Sequence, residues 1–192
     1  QFEDFANQNA FRLLEKYRDR ACVFNDDIQG TAAVALAGIF SALRITGQQI
    51  QDQTVLFLGA GEAATGIADL VSAAMAAQGL DERAARRRCW LVDTRGLVVK
   101  GRDELAEHKV PYAHDHAPVR SFLDAIRVLK PTVIIGVSAV GGTFTQEVLE
   151  EMARINERPI VFSLSNPTSQ SECTAEEAYR HTGGRALFAC GS

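Results

Sequence analysis

Two acidic pairs, Glu3-Asp4 and Asp26-Asp27, flank a short helical stretch near the start of the chain, and a glycine-bearing run, Gly59-Ala60-Gly61-Glu62-Ala63-Ala64, follows them. Four carboxylates drawn together repel one another unless a cation neutralises them. Oxygen donors suit a hard divalent ion, and Mg²⁺ or Mn²⁺ leaves coordination positions open for substrate and water. By composition alone, the pairs are divided between that reading and ordinary surface helix caps. The glycine run has the GxGxxA spacing of a dinucleotide turn. Gly59 permits a tight turn, Gly61 lets backbone approach a pyrophosphate, and Ala64 keeps the following helix close to a sheet. The exposed amides and the positive helix end then hold the phosphates. Small residues also serve plain helix–strand packing, so this spacing alone is weak evidence. Together the two features suggest metal-assisted redox chemistry on a small acid.

The elements that must position these residues alternate in type. Residues 7–20 read as an amphipathic helix, and residues 31–43 as a buried one opened by Thr31 after the turn glycine Gly30. Residues 54–58 form a β-branched, apolar strand that delivers the chain into Gly59, and a helix over 62–78 is stopped by Gly79. A short helix over 81–88 leads to the strand Cys89-Trp90-Leu91-Val92-Asp93. Further helices are expected over 118–129, 147–156 and 174–180, the first with Pro118 in its opening turn. Strands are expected over 132–136, 160–164 and 186–189. Crossover connections at this spacing predict an α/β fold: a doubly wound, mainly parallel sheet with helices on both faces, Rossmann-like. Residues 31–192 form that domain, and residues 1–30 form a site segment leading into it.

That frame assigns further roles. Asp93 ends the second strand of the unit, where a carboxylate accepts hydrogen bonds from an adenosine ribose. Its interval from Gly59 exceeds the usual one of about 20 residues, and the 81–88 helix accounts for the excess. The Gly136-Val137-Ser138-Ala139 turn closes a strand end that faces the cofactor crevice. Gly136, Ser138 and Ala139 are therefore candidates for the ribose or nicotinamide side, with turn-making the alternative.

Five runs carry a resemblance to a known family: QFEDFANQNAFRLLEKYRDR from Gln1, FNDDIQGTAAVALAG from Phe24, LGAGEAATGIA from Leu58, INERPIVFSLSNPTSQSECTAEEAY from Ile155, and GRALFACGS from Gly184. In order and spacing they resemble the malic enzymes over the whole chain. The resemblance implies NAD(P)-dependent oxidative decarboxylation of malate to pyruvate and CO₂ with a divalent metal. It implies that Glu3, Asp4 and Asp27 match the family's metal ligands and Asp26 the neighbouring active-site aspartate. Asn166 matches a substrate-side asparagine near the cofactor; without the family pattern, Asn166-Pro167 reads as a turn. Lys109 stands where NADP-preferring members are similar in carrying a lysine near the 2′-phosphate. Arg95 is a second candidate cation for that dianion. NADP is therefore favoured, with NAD the alternative, and two ordinary surface cations are the rival reading. The family's tyrosine and lysine acid/base residues match nothing here, so neither Tyr17 nor Lys16 inherits those roles. An excised cofactor-binding part with little or no malate turnover of its own is the expectation, from a homo-oligomeric parent.

Composition narrows the remaining classes. Twenty basic residues against 24 acidic ones give a net charge of −4, which offers no positive field to a nucleic-acid backbone. Arg86-Arg87-Arg88 reads as a solvated helix end, and His114 and His116 around Asp115 as a solvated loop. Cys22, Cys89, Cys173 and Cys190 form no CxxC pair and fit reduced thiols in a cytosol or organelle matrix, an intracellular setting. Polar and charged residues interrupt every apolar run before bilayer-spanning length, so no membrane partner is expected. Another NAD(P)-dependent hydroxy-acid dehydrogenase and a non-catalytic nucleotide-binding domain are the rival functions.

Overall fold

Strand alternation divides the core between two layers. Val55, Phe57, Val133, Ile135, Ile160 and Phe162 point to one face of the sheet, and Leu56, Ile134 and Val161 to the other. That is the period of two that successive side chains on a strand must follow, and apolar residues at both phases mark strands covered on both faces. The computed structural model describes residues 1–192, except the side chains of Asn7 and Gln8. Its six strands are β1 (Val55–Leu58), β2 (Cys89–Asp93), β3 (Gly96–Leu97), β4 (Val133–Gly136), β5 (Ile160–Ser163) and β6 (Leu187–Cys190). They lie in the order β3-β2-β1-β4-β5-β6, all parallel to their neighbours except β3, which pairs antiparallel with β2. The doubly wound, mainly parallel expectation is met.

Among the described residues, seven α-helices complete the layers: α1 (Asn7–Tyr17), α2 (Thr31–Thr46), α3 (Glu62–Ala77), α4 (Glu82–Arg86), α5 (Phe122–Leu129), α6 (Gln146–Ile155) and α7 (Ala175–His181). Helices α2 and α3 place Ala35, Ile39, Ile67, Val71 and Met75 against one face of the sheet. Helices α5, α6 and α7 place Ile126, Leu149, Met152 and Ala178 against the other. Capping fixes several starts: Asp81 opens α4, Ser121 opens α5, and Thr174 with Glu177 forms a capping box on α7.

The structure departs from expectation in four places. Helix α5 begins at Phe122 rather than at Pro118, because the Val119 carbonyl accepts the Leu97 amide at 2.8 Å and is committed to the chain beside β3. The short β3 itself was not anticipated, two residues being too few to show periodicity. A single π-helical turn, Asp26–Gly30, runs directly into α2, with the Asn25 side chain accepting from the Ile28 amide. An 18-residue window within the joined stretch Asp26–Thr46 has mean hydropathy 1.5, so the stretch is long and apolar enough to cross a membrane by length and composition, contrary to the expected interruptions. Its charges sit only near its ends, at Asp26, Asp27 and Arg44, and one face of it packs into the core through Ala32, Ala35, Ile39 and Leu43.

Candidate functional site

Strand order reverses between β1 and β4, and in open α/β sheets that switch point is where ligands enter. A cavity of about 1050 Å³ opens there, beyond the carboxyl ends of β1, β2 and β4. Gly59 leaves β1 with φ of 122°, and a Cβ at this position would stand 2.7 Å from the Val137 carbonyl oxygen. Only glycine meets both demands without strain. Gly61 is the extended residue before α3, so the first amides of that helix face the crevice. Gly59, Ala60, Gly61, Glu62 and Ala63 line the cavity, and Ala64 is buried beneath it in the core. The glycine turn and the start of α3 thus form one wall of the cavity.

Asp93 lies at the end of β2 and lines the same cavity. Its carboxylate accepts two hydrogen bonds from the Arg102 guanidinium at 2.9 and 3.0 Å, one from Lys109 at 2.8 Å, and one from the Arg95 amide at 2.9 Å. Burial pushes its carboxyl upward, but the Lys109 ammonium, the Arg95 amide and the Arg102 guanidinium outweigh it and hold the group below the usual carboxylate range. The carboxylate is thus a hub for two cations. Arg95 is exposed, and its side chain bonds the Asp103 carbonyl and does not line the crevice; Lys109 does line it.

Sequence reasoning missed three residues of this neighbourhood. Arg102 falls in a polar loop with no signal to distinguish it. His108 donates from Nε2 to the Ala60 carbonyl at 3.1 Å while its ring stacks on Phe11, tying the glycine turn to α1. Burial, followed by the nearby Lys109 charge, lowers its pKa against the opposing effect of the Ala60 bond. Phe5 lines the cavity and carries the N-terminal segment to its edge. His114, expected in a solvated loop, is instead buried, bonded to the Cys89 carbonyl at 2.7 Å and edge-on to Trp90.

The two acidic pairs meet the crevice unequally. Asp4 and Asp27 line it, and the Asp27 carboxylate accepts the Asp4 amide at 2.9 Å. Glu62 is held above the ordinary carboxyl range by burial and then by the Asp27 charge. Glu3 and Asp26 lie outside the lining, each accepting from the Gln1 side-chain amide, at 3.2 and 2.9 Å. Among the described residues, no three His, Cys, Asp or Glu side chains stand close enough to hold an ion. In this arrangement, Glu3, Asp4 and Asp27 do not fit a divalent metal.

Ser138 and Ala139 line the crevice from the β4 side, whereas Gly136 lies beneath it. Asn166 is exposed after β5 and stands outside the lining.

Comparisons with known proteins agree with this fold. The family described as "Malic enzyme, NAD binding domain" matches residues 28–192. The chain is 59% identical over 192 residues to the NADP-dependent malic enzyme of Mus musculus, covering all of this chain and 34% of that protein. It is 59% identical over 196 residues to NADP-dependent malic enzyme 4, chloroplastic, of Arabidopsis thaliana, again covering all of this chain and 30% of the relative. It therefore spans about a third of the length of such relatives. Among solved structures, the malic enzyme of Entamoeba histolytica superposes with a TM-score of 0.80 at 26% identity, over 99% of this chain and 38% of that one. The enzyme of Pyrococcus horikoshii gives 0.72 at 29%, over 99% and 43%. With a glycine turn at the switch point and the family match running from Ile28 to Ser192, the chain belongs to the malic enzyme family and carries its NAD binding domain.

Proposed function

We propose that this chain is the cofactor-binding part of an NADP-dependent enzyme that oxidatively decarboxylates malate to pyruvate and CO₂. The observation that carries the reading is the single crevice in which the Gly59–Ala63 turn, the Asp93–Lys109 pair and the Ser138-Ala139 turn meet. Residues 31–192 bind the dinucleotide, and residues 1–30 contribute to the substrate side.

Each part of the crevice has a physical task. The α3 amides hold the pyrophosphate. Arg102 and Lys109 neutralise Asp93, which removes the repulsion that a free carboxylate at this strand end exerts on a 2′-phosphate, and Lys109 is positioned to pair with that phosphate. This arrangement favours NADP over NAD. Ser138 and Ala139 bound the nicotinamide side, and Asn166, one residue beyond the buried Ser165, is assigned to the substrate carboxylate. When bound, the nicotinamide supplies the hydride acceptor for C2 of malate. Asp26 is assigned to the active site by the family pattern.

The same pattern assigns Glu3, Asp4 and Asp27 to Mg²⁺ or Mn²⁺. As folded here the three do not converge. The reading also carries homo-oligomeric assembly of the parent enzyme and an intracellular setting, in keeping with the chloroplastic relatives.

Calorimetric titration with NADP⁺ and NAD⁺, each with and without Mn²⁺, tests the cofactor assignment. Tighter binding of NADP⁺ is expected; equal or tighter binding of NAD⁺ overturns the preference. A malate turnover assay on the same chain is expected to give little or no rate, since neither Tyr17 nor Lys16 matches the family's acid/base motifs. Decarboxylating turnover at a rate comparable with complete enzymes overturns the division of labour.

A further inference from the structure

Glu172 is fully buried, and the chemistry proposed above makes no use of it. Its backbone is pinned, the carbonyl accepting the Phe144 amide at 2.9 Å, and its side chain reaches beneath the ends of β4 and β5. One carboxylate oxygen accepts from the Ser138 amide at 3.2 Å, the Ser138 hydroxyl at 3.5 Å and the Ser165 hydroxyl. The other accepts from the Ser163 hydroxyl at 3.1 Å and the Ser165 amide at 3.3 Å. Among the described residues no cation pairs with it. A buried carboxylate is tolerated when donors satisfy its lone pairs, and here every donor comes from one of two chain segments.

The two segments are the turn after β4, which lines the crevice, and the end of β5 that leads to Asn166. The Ser165 hydroxyl also accepts the Ala139 amide at 2.9 Å, so the link runs through both turns. Gly136 belongs to the same arrangement. A Cβ there would lie 2.3 Å from the Glu172 carboxyl carbon, so this glycine makes room for the carboxylate rather than for the cofactor.

We propose that Glu172 is a positioning residue, its carboxylate locking the Ser138-Ala139 turn to the Ser165-Asn166 turn and so fixing the β4-side wall of the crevice. The inference rests on the dinucleotide reading of that crevice. Glutamine is a poor substitute, because its NH₂ group must face N–H and O–H donors.

The test uses the whole chain and two readouts, amide hydrogen exchange at Ser138, Ala139 and Ser165, and NADP⁺ titration. Glu172→Gln is expected to speed exchange at both turns by about 10- to 100-fold, the loss of hydrogen bonds to a charged group, and to weaken NADP⁺ about tenfold. Ile39→Val, in α2 on the other face of the sheet, serves as a control for lost stability alone: it lowers the melting temperature and leaves both readouts unchanged. If Glu172→Gln does not fold, Ser165→Ala, which keeps the carboxylate, is expected to speed exchange at Ser138 as well as at Ala139. The proposal is overturned if exchange quickens at one turn only, or if both turns loosen while NADP⁺ affinity holds. A wild-type chain that binds no NADP⁺ overturns the dinucleotide reading instead; exchange at the two turns then decides the lock by itself.

Discussion

The dinucleotide half of the crevice and the acidic half are built from different kinds of interaction. Strand ends, a helix terminus and backbone amides make the first, and the six-stranded sheet fixes them. The second depends on side chains of an N-terminal segment held by a bridge between Phe2 and Asn25 and by the Asp4–Asp27 bond. Its carboxylates separate into a pair inside the crevice and a pair outside it. A site made of backbone is complete once its sheet has formed, whereas a site made of like charges needs other groups, or an ion, to draw it together.

The largest test of this contrast is at the glycine turn. Gly59→Ala places a Cβ against the Val137 carbonyl at a φ suited to glycine, at a cost of about 1–3 kcal/mol. Urea denaturation is expected to show that loss, and NADP⁺ affinity to fall by roughly 10- to 100-fold as the turn shifts. Unchanged binding means that the backbone does not define the dinucleotide half. Next comes Lys109→Ala, which deletes the cation shared by Asp93 and the proposed 2′-phosphate. NADP⁺ is expected to weaken about tenfold while NAD⁺ changes little, since one charge-assisted bond contributes about 1.5–3 kcal/mol. Equal losses for the two nucleotides remove Lys109 from the specificity argument.

How far these halves could be read in the sequence follows the same division. The β1–α3 unit and the two-layer sheet were legible because an apolar strand, a glycine turn and an alanine-rich helix are local signals. Asp93 was legible as a strand end, but its engagement by Arg102 was not, since a loop arginine is committed only by tertiary contact. Residues 118–121 have the composition of a helix start and lie outside the helix instead because β3 takes the Val119 carbonyl. Glu172 sits in a run that resembles the family, yet nothing in its local sequence says that it turns inward beneath two other strands. The acidic pairs were visible as residues, but their spacing does not specify whether four side chains meet.

A third expected effect is on acid stability. The Asp93 pKa is depressed in the folded chain, so the stabilisation it provides is fully present above its unfolded value of about 3.9 and is lost as pH falls through the lower folded value. Asp93→Asn is therefore expected to flatten the acid limb of the stability–pH curve below about pH 4 and to leave the slope near neutrality unchanged. The Asp93 carboxyl resonance, followed by NMR, should titrate below the ordinary range. A value at or above it means that the Arg102 and Lys109 contacts are not kept in solution.

The smallest effect lies in the acidic half and decides whether the contrast survives. Burial and then the Asp27 charge hold Glu62 above the ordinary carboxyl range, so its ionised form is disfavoured in the fold. The sign is opposite to that of Asp93: the penalty is absent below Glu62's unfolded pKa and appears as pH rises toward and past the raised folded value. Asp27→Ala removes the second cause, leaving burial, and the Glu62 carboxyl should titrate closer to its ordinary value, with NADP⁺ affinity unchanged. A divalent cation seated between Asp4 and Asp27 acts on Glu62 in the same direction, because it reverses the sign of the neighbouring charge. Titrating the wild-type chain with Mg²⁺ while following the Glu62 resonance therefore reads the acidic half directly. No movement at millimolar Mg²⁺ is expected for carboxylates that do not converge; a downward shift that Asp27→Ala abolishes means that this chain assembles its metal site unaided, and the contrast between the halves collapses.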